Sequence, residues 1–365
     1  MKKVCFVNST HKWGGVKTWS LEVGSELMAA GIECHVLARK GPFLDMALDM
    51  GFRGLPVRFG IDYNPILIVR MFRYFRVQGI DLVVVNVGKD VRTAGLAARM
   101  AGIPVIHRVG LAGDMQDKLD VRLNHALVKP GLLVPCRQIR DGLLRELPFL
   151  GPDEIVVAHT VKPPGTDRPN AVNSPPVIVS TSQLNSDKGH AVVLEALAGL
   201  KGQGFSIRYE IVGTGREQNF LEALAAKLGL GDSVVWHGFR TDVRSILKRA
   251  DLFVLASTSE GFPNSLLEAM AEGLVCVSRD VGGVDEIWPA SNVPLLAQNA
   301  NAQEFGAAIA SILALPASDL LARKQKQYDE YAAWVGAERA KRAWPEVFAQ
   351  VASISSGRSC QSRQQ

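Results

Sequence analysis

The chain has 365 residues, 47% hydrophobic and 21% charged, with a mean hydropathy of +0.09; this excludes a largely disordered chain and provides apolar surface for two cores. No run reaches the roughly 18 apolar residues of a membrane-spanning helix, and the opening Met1–Asn8 stretch is too short for a signal peptide, so a cytoplasmic protein, soluble or peripheral, is expected. The net charge of +5 is uneven: residues 1–175 carry 23 Lys and Arg against 16 Asp and Glu, the remainder 18 against 20.

Val4–Val7 reads as the first strand, followed by a helix over 16–29, the strand Glu33–Ala38, a helix near 43–50 and a short strand near 55–57. A helix at 65–77 precedes the strand Asp81–Asn86, and one near 91–101 leads to Pro104–His107; Leu132–Pro135 and Ile155–Ala158 follow. Residues 162–176 contain five prolines and read as a linker between domains. The alternation then restarts with strands at Val177–Ser180, Ile207–Val212, Val234–His237, Leu252–Ala256 and Val275–Ser278, and helices at 188–200, 217–228 and from Ser265 to Glu272. Beyond 302 the chain reads as helical, with Trp334 and Trp344 as anchors for a returning tail. Strands alternating with helices imply parallel sheets covered on both faces, with ligands beyond the carboxyl ends of the strands. The expected domains are 1–165 and 177–337, joined by a linker at 166–176, with a helix at about 338–354 packing back on the first.

The cysteines Cys5, Cys34, Cys136, Cys276 and Cys360 form no CxxC pair. They read as free thiols in a reducing compartment. The basic first half suits an anionic partner, but zinc-finger spacing and an aromatic-plus-basic RNA motif are missing, so nucleic acid is not expected.

The most informative segment is 259–286. Glu260 lies in the loop after the strand Leu252–Ala256, Asn264 or Ser265 is placed to cap the next helix, and Glu268 is expected in its first turn. Two such carboxylates can hold different hydroxyls of one ligand, although Glu268 also suits a helix N-terminus for electrostatic reasons alone. The run Glu260-Gly-Phe-Pro-Asn-Ser-Leu-Leu-Glu268-Ala-Met-Ala-Glu-Gly resembles the E-x7-E motif of retaining glycosyltransferase family 4, and Val281-Gly282-Gly283 resembles the glycine turn that follows it there. The resemblance extends over nearly the whole chain. It implies the GT-B fold, two Rossmann-like αβα domains facing across a cleft. It also implies that Glu268 holds ribose hydroxyls, that Glu260 approaches the transferred sugar, and that Gly261, Phe262, Pro263, Asn264 and Ser265 line the donor site.

Other stretches match the same family. Lys188-Gly189 resembles its "KG", whose lysine binds the donor diphosphate. The arginine usual five residues earlier is here Gln183, an amide that donates hydrogen bonds but supplies no charge; Arg216 and Arg240 are candidate substitutes. Gly213-Thr-Gly215 resembles the second glycine turn, near the nucleotide. It lacks the third glycine of a dinucleotide fingerprint, since position 218 is Gln. Phe239, after the strand Val234–His237, is assigned to the base pocket. In the first half, Trp13-Gly14-Gly15 matches a loop that contacts donor phosphate or sugar, with a tight structural turn as the lesser alternative. His107 matches a histidine near the reacting sugar carbon, and the adjacent Arg108 is a candidate for the phosphates or acceptor. Asn86 and, less securely, His11 are acceptor-side candidates.

The implied activity is a retaining hexosyltransferase reaction: a sugar moves from a nucleotide diphosphate sugar, UDP-sugar by default, to a hydroxyl of a glycan or lipid-linked acceptor. Cell-envelope polysaccharide or lipopolysaccharide synthesis is the implied setting. The catalytic set is His107, Glu260, Lys188 and Arg108, with no cofactor and no metal expected. An anionic membrane surface is a further candidate partner, through Arg70, Arg73 and Arg76 with Met71, Phe72 and Phe75 on the 65–76 helix. Two readings compete: a nucleotide-sugar epimerase or phosphorylase on the same fold, and a non-catalytic protein that binds sugar nucleotides.

Overall fold

The computed structural model describes residues 1–11, 14–290, 292–341 and 343–357. They form two units: residues 1–160 with the segment from Lys341 onward, and Val161–Ala340.

Unit 1 is built on seven parallel strands: β1 (Lys3–Asn8), β2 (Glu33–Ala38), β3 (Arg53–Pro56), β4 (Leu82–Val85), β5 (Val105–Arg108), β6 (Gly131–Val134) and β7 (Ile155–Val157). Their order is β3-β2-β1-β4-β5-β6-β7. The sheet is covered by α1 (Gly15–Ala29), α2 (Pro42–Asp49), α3 (Pro65–Gln78), α4 (Gly88–Asp90), α5 (Leu96–Met100), α6 (Leu119–Val128) and α7 (Arg137–Glu146). Between α4 and α5 runs a π-helical turn, Val91–Gly95. The central strands are apolar through their middles because helices cover both faces.

A last helix, Trp344–Ser355, completes this core. Phe348 is fully buried and tilts against Phe6 at 6.2 Å, and Trp344 meets Trp19 edge-on at 5.9 Å. The helix reaches the sheet because β6 opens with Gly131, where any Cβ would run into the Val351 carbonyl.

In α3, Asn64 caps the start by accepting from Ile66 N and Leu67 N at 3.1 and 3.3 Å. Leu67, Met71 and Phe75, four apart, form the buried stripe. This corrects the expected surface: Met71 and Phe75 belong to the core, while the apolar groups exposed beside Arg70, Arg73 and Arg76 are Ile66, Val69 and Val77.

Unit 2 has five parallel strands: β8 (Val177–Thr181), β9 (Arg208–Val212), β10 (Val234–Gly238), β11 (Leu252–Leu255) and β12 (Val275–Ser278). Their order is β10-β9-β8-β11-β12. Around them lie α8 (His190–Gly202), α9 (Gln218–Lys227), α10 (Val243–Leu247), α11 (Asn264–Ala271), α12 (Ala302–Leu313) and α13 (Ala317–Lys341). Trp334 packs in this unit, 5.7 Å from Tyr331.

The 166–176 segment is not a free linker. It is strapped to unit 2 because its polar groups meet buried charge. Asp251, fully buried at the amino end of β11, accepts from Asn173 Nδ2 and Val177 N at 2.8 Å each. Lys324 Nζ donates to Asp251 Oδ1 at 2.8 Å and to the Ala171 carbonyl at 3.2 Å. Arg168 pairs with Asp329 at 2.5 Å. No single helix among the described residues is long and apolar enough to cross a membrane.

Candidate active site

In each sheet the strand order reverses at one point, between β1 and β4 in unit 1 and between β8 and β11 in unit 2. The loops leaving those strands diverge there and open a crevice at their carboxyl ends. Of the residues singled out by sequence, Gly14, Asn86, Gln183, Lys188 and Glu260 fall on these loops, and the others lie on neighbouring strands, loops and α11.

In unit 2, the loop after β8 carries Lys188 and the loop after β11 carries Glu260. They meet across the switch point, with Lys188 Nζ 2.9 Å from Glu260 Oε1 and 3.3 Å from Asp187 Oδ2. Burial pushes the ammonium pKa down, but the two carboxylates outweigh it and the net shift is upward, so the lysine stays charged. The Asp187 carbonyl accepts from Thr258 N at 2.8 Å, which ties the same two loops together.

Glu260 is held from behind by the glycine turn. Gly283 N donates to the Gly261 carbonyl at 2.8 Å. Gly282 has φ +60°, and a Cβ there would lie 2.5 Å from the Glu260 carbonyl oxygen, so only glycine fits this contact. Gly213, at φ +138°, and Gly215 let the loop after β9 lie directly on Ser182–Leu184, with Leu184 N donating to the Thr214 carbonyl at 3.0 Å.

Two expectations about α11 are corrected. The helix begins at Asn264, after Pro263, with no side-chain cap, because the Pro263 carbonyl itself accepts from Leu266 N and Leu267 N. Glu268 is therefore the fifth helical residue, in the second turn. It faces Lys162, whose Nζ lies 3.5 Å from Glu268 Oε1 and whose side chain is nearly buried. The sequence reading missed Lys162 because it stands beside two prolines and looks like linker. Its backbone N and carbonyl are both bonded to the Tyr331 hydroxyl, at 3.2 and 3.0 Å.

Behind Lys188, His190 is buried and bonded to Ser182 Oγ at 2.8 Å. Burial, with the nearby Lys188 charge, pushes its pKa down to about 4. Gln183 is exposed and accepts from Asn185 Nδ2 at 3.2 Å. Of the candidate substitutes for its missing charge, Arg240 pairs with Asp242 at 2.7 Å, and Arg216 is exposed. Phe239 is 68% exposed after β10.

In unit 1 the switch point is closed by a buried acid that the sequence did not reveal. Asp90 Oδ1 accepts from Ser9 N at 3.0 Å, and Oδ2 from Asn86 N and Val87 N at 3.4 Å each. Burial nevertheless raises its pKa to about 6. The loop after β1 is further tied by Lys17 Nζ donating to the Thr10 carbonyl at 3.0 Å and Arg39 Nε donating to the Ser9 carbonyl at 2.6 Å. Gly14 is extended and a Cβ on it would meet open space, so the fold itself does not demand glycine there. Gly15 opens α1, and Trp13 lies outside the described residues.

His107 and Arg108 end β5. His107 is buried, and desolvation together with the charge of His125 pushes its pKa down to about 4, against a hydrogen bond to the Asn86 backbone, so it is a neutral imidazole at pH 7. Arg108 stacks 4.8 Å over the Trp19 ring. Burial lowers its pKa to about 10, which leaves it cationic.

Two switch-point sheets with charged loops at their carboxyl ends define the GT-B class, and the comparisons agree. Residues 166–333 match the family of glycosyl transferases group 1. The amylovoran biosynthesis glycosyltransferase of Erwinia amylovora is 35% identical over 146 residues, covering 38% of this chain and 36% of that protein. The lipopolysaccharide core biosynthesis glycosyltransferase of Rhizobium meliloti is 31% identical over 139 residues, covering 38% and 40%. The chain thus spans less than half the length of these curated relatives. The crystal structure of Anabaena HepE in complex with UDP-glucose superposes with a TM-score of 0.76 at 16% identity, over 98% of this chain and all of that one. The family match lies within the second unit and covers less than half of the chain.

Proposed function

We propose that the protein is a retaining glycosyltransferase of the hexosyl type, taking its sugar from a UDP-sugar and passing it to a hydroxyl of a glycan or lipid-linked acceptor in envelope polysaccharide or lipopolysaccharide synthesis. The observation that carries this reading is the Lys188–Glu260 pair across the switch point of unit 2. A donor diphosphate entering there replaces Glu260 as the partner of Lys188, and the freed carboxylate turns to the hydroxyls of the transferred sugar. Glu268 serves the ribose hydroxyls. Gln183, Gly213, Gly215 and Phe239 border the nucleotide, and the Gly261–Ser265 stretch brings the amino end of α11 to the sugar.

In the reaction, the acceptor oxygen bonds to the anomeric carbon on the face that the diphosphate leaves. The breaking C–O bond gives its electron pair to the phosphate oxygen, and that oxygen takes the acceptor's proton. The protein's part is positioning and charge: in unit 2, Lys188 offsets the developing phosphate charge. Gly14 and Gly15 leave room for a phosphate or sugar beside the backbone.

The basic face of α3, with Arg70, Arg73 and Arg76 interleaved by Ile66, Val69 and Val77, suits peripheral attachment to an anionic lipid surface. The neutral, exposed Gln183 favours one other reading, a sugar-nucleotide-binding protein without turnover.

Calorimetry with UDP-, GDP-, ADP-, CMP- and TDP-sugars on wild type and Glu268→Ala tests the donor site. Selective binding of one donor, weakened at least tenfold in the variant, is expected; no binding by folded protein would sink the catalytic reading. Donor binding with neither hydrolysis nor transfer across an acceptor panel would favour the non-catalytic one.

A further inference from the structure

The segment 259–286 holds one charge that the reading above does not use. Arg279 directly follows β12 and is 4% exposed. Among the described residues no carboxylate pairs with it, and Glu304 acts on it only from beyond ion-pair distance. Its guanidinium carbon lies 5.3 Å over the Phe305 ring. Its hydrogen-bond partners are backbone carbonyls: Nη1 donates to Ala256 and Nη2 to Ala300, the latter at 2.6 Å.

Those contacts put Arg279 behind the stretches that carry Lys188 and Glu260. Ala256 is the first residue past β11, at the root of the loop that leads to Glu260. The same carbonyl lies against Gly189, where any Cβ would run into it. Backbone therefore rests on backbone next to Lys188. In the other direction, Arg279 leads through Asp280 into the Val281–Gly283 turn, whose Gly283 N supports the Gly261 carbonyl beside Glu260.

A guanidinium suits this place because its planar fork reaches two carbonyls at once, whereas an ammonium is a point charge. Packing alone does not call for the charge, since a cation buried without an acid is costly to desolvate. What the fork adds is a fixed position for the Ala256 carbonyl, and through it for the Lys188–Gly189 backbone.

We propose that Arg279 is a positioning residue for the donor diphosphate: by holding the Ala256 carbonyl against Gly189, it sets the place from which Lys188 meets the phosphates. This deepens the donor reading of unit 2 and rests on it.

The test compares wild type with Arg279→Lys, which keeps the charge and loses the fork, and Arg279→Met, which loses both. Thermal unfolding checks that each variant folds. Calorimetry reads UDP, and saturation-transfer NMR reads uridine, which has the base and ribose but no phosphate. UDP affinity is expected to fall about tenfold in Arg279→Met and about threefold in Arg279→Lys, with uridine affinity within about twofold of wild type in both. Equal losses for UDP and uridine would mean that Arg279 supports only the fold, and unchanged UDP affinity in Arg279→Lys would show that the two-carbonyl grip is not needed; either result overturns the proposal. If Arg279→Met does not fold, Arg279→Lys carries the same comparison. Gly189→Ala presses on the same carbonyl from the Lys188 loop. Its loss of UDP affinity combined with that of Arg279→Lys is expected to be smaller than the product of the two, whereas a full product would sink the shared-carbonyl account. A wild type that binds neither UDP nor any other nucleoside diphosphate defeats the donor reading and this role with it; UDP binding by wild type beside unaffected variants defeats this role alone.

Discussion

Unit 2 contains two lysine–carboxylate pairs at opposite ends of the same strand. Before β11, Asp251 and Lys324 are 2.8 Å apart with side chains 0% and 5% exposed, and both are saturated by backbone and amide partners. After β11, Glu260 and Lys188 are 2.9 Å apart but 17% and 19% exposed, with Asp187 beside the lysine. The chemical groups are the same and so is the distance. What differs is how much of each charge would be left unpaid on opening. The first pair is locked into the fold, whereas the second can exchange partners with a ligand.

The largest expected effect is on the locked pair. Lys324→Ala strands a buried carboxylate and should cost about 3–5 kcal/mol in urea unfolding. Lys188→Ala should cost about 1 kcal/mol or less. Equal costs would break the contrast.

The next effect is pH dependence behind Lys188. His190 has its pKa lowered to about 4, so the native state resists a proton that the unfolded chain accepts near 6.5. Its contribution is fully present above 6.5 and is lost as pH falls towards 4, about 3 kcal/mol in all. His190→Gln should flatten that part of the stability curve between pH 6.5 and 4. Asp90 in unit 1, raised to about 6, works with the opposite sign: its contribution is present below about 4 and is lost as pH rises through 6. Asp90→Asn should therefore be better tolerated at pH 7 than at pH 4.5.

Smaller again is Gly282→Ala, which combines φ +60° with contact on the Glu260 carbonyl; a loss of about 2 kcal/mol is expected, with weakened donor binding because the 260–261 backbone must move. Finally, UDP titration should separate the two members of the open pair. Lys188→Ala should raise the Kd about tenfold, roughly 1.4 kcal/mol. Glu260→Gln, which releases Lys188, should leave UDP affinity unchanged or a few-fold tighter while turnover falls.

Much of this architecture was legible beforehand. Strands such as Val275–Ser278 and Glu33–Ala38 announce themselves as apolar, β-branched runs between helical periods, and structure assigns the same residues. The glycines around Glu260 stood out because backbone must touch backbone there. Partnership was less visible. The prolines of 162–176 signalled irregular chain correctly, but irregular chain can still be bonded along its length, and Lys162 went unnoticed with it. Asp90 looks like an ordinary helix-surface residue until the tertiary fold encloses it. Met71 and Phe75 lie in the core and not beside the arginines, and their spacing of four from Leu67 marks that stripe in the sequence.

The helix Trp344–Ser355 has a consequence for how the protein is made. Phe348, at its centre, is part of the core of a sheet whose seven strands end by Val157. As the ribosome delivers the chain, everything needed by the second unit emerges before the first has its final wall. The first 160 residues must then wait with an aromatic face around Phe6 and Trp19 open to whatever is nearby, while nearly 200 more are synthesised. The half of the molecule that begins first is the last to close.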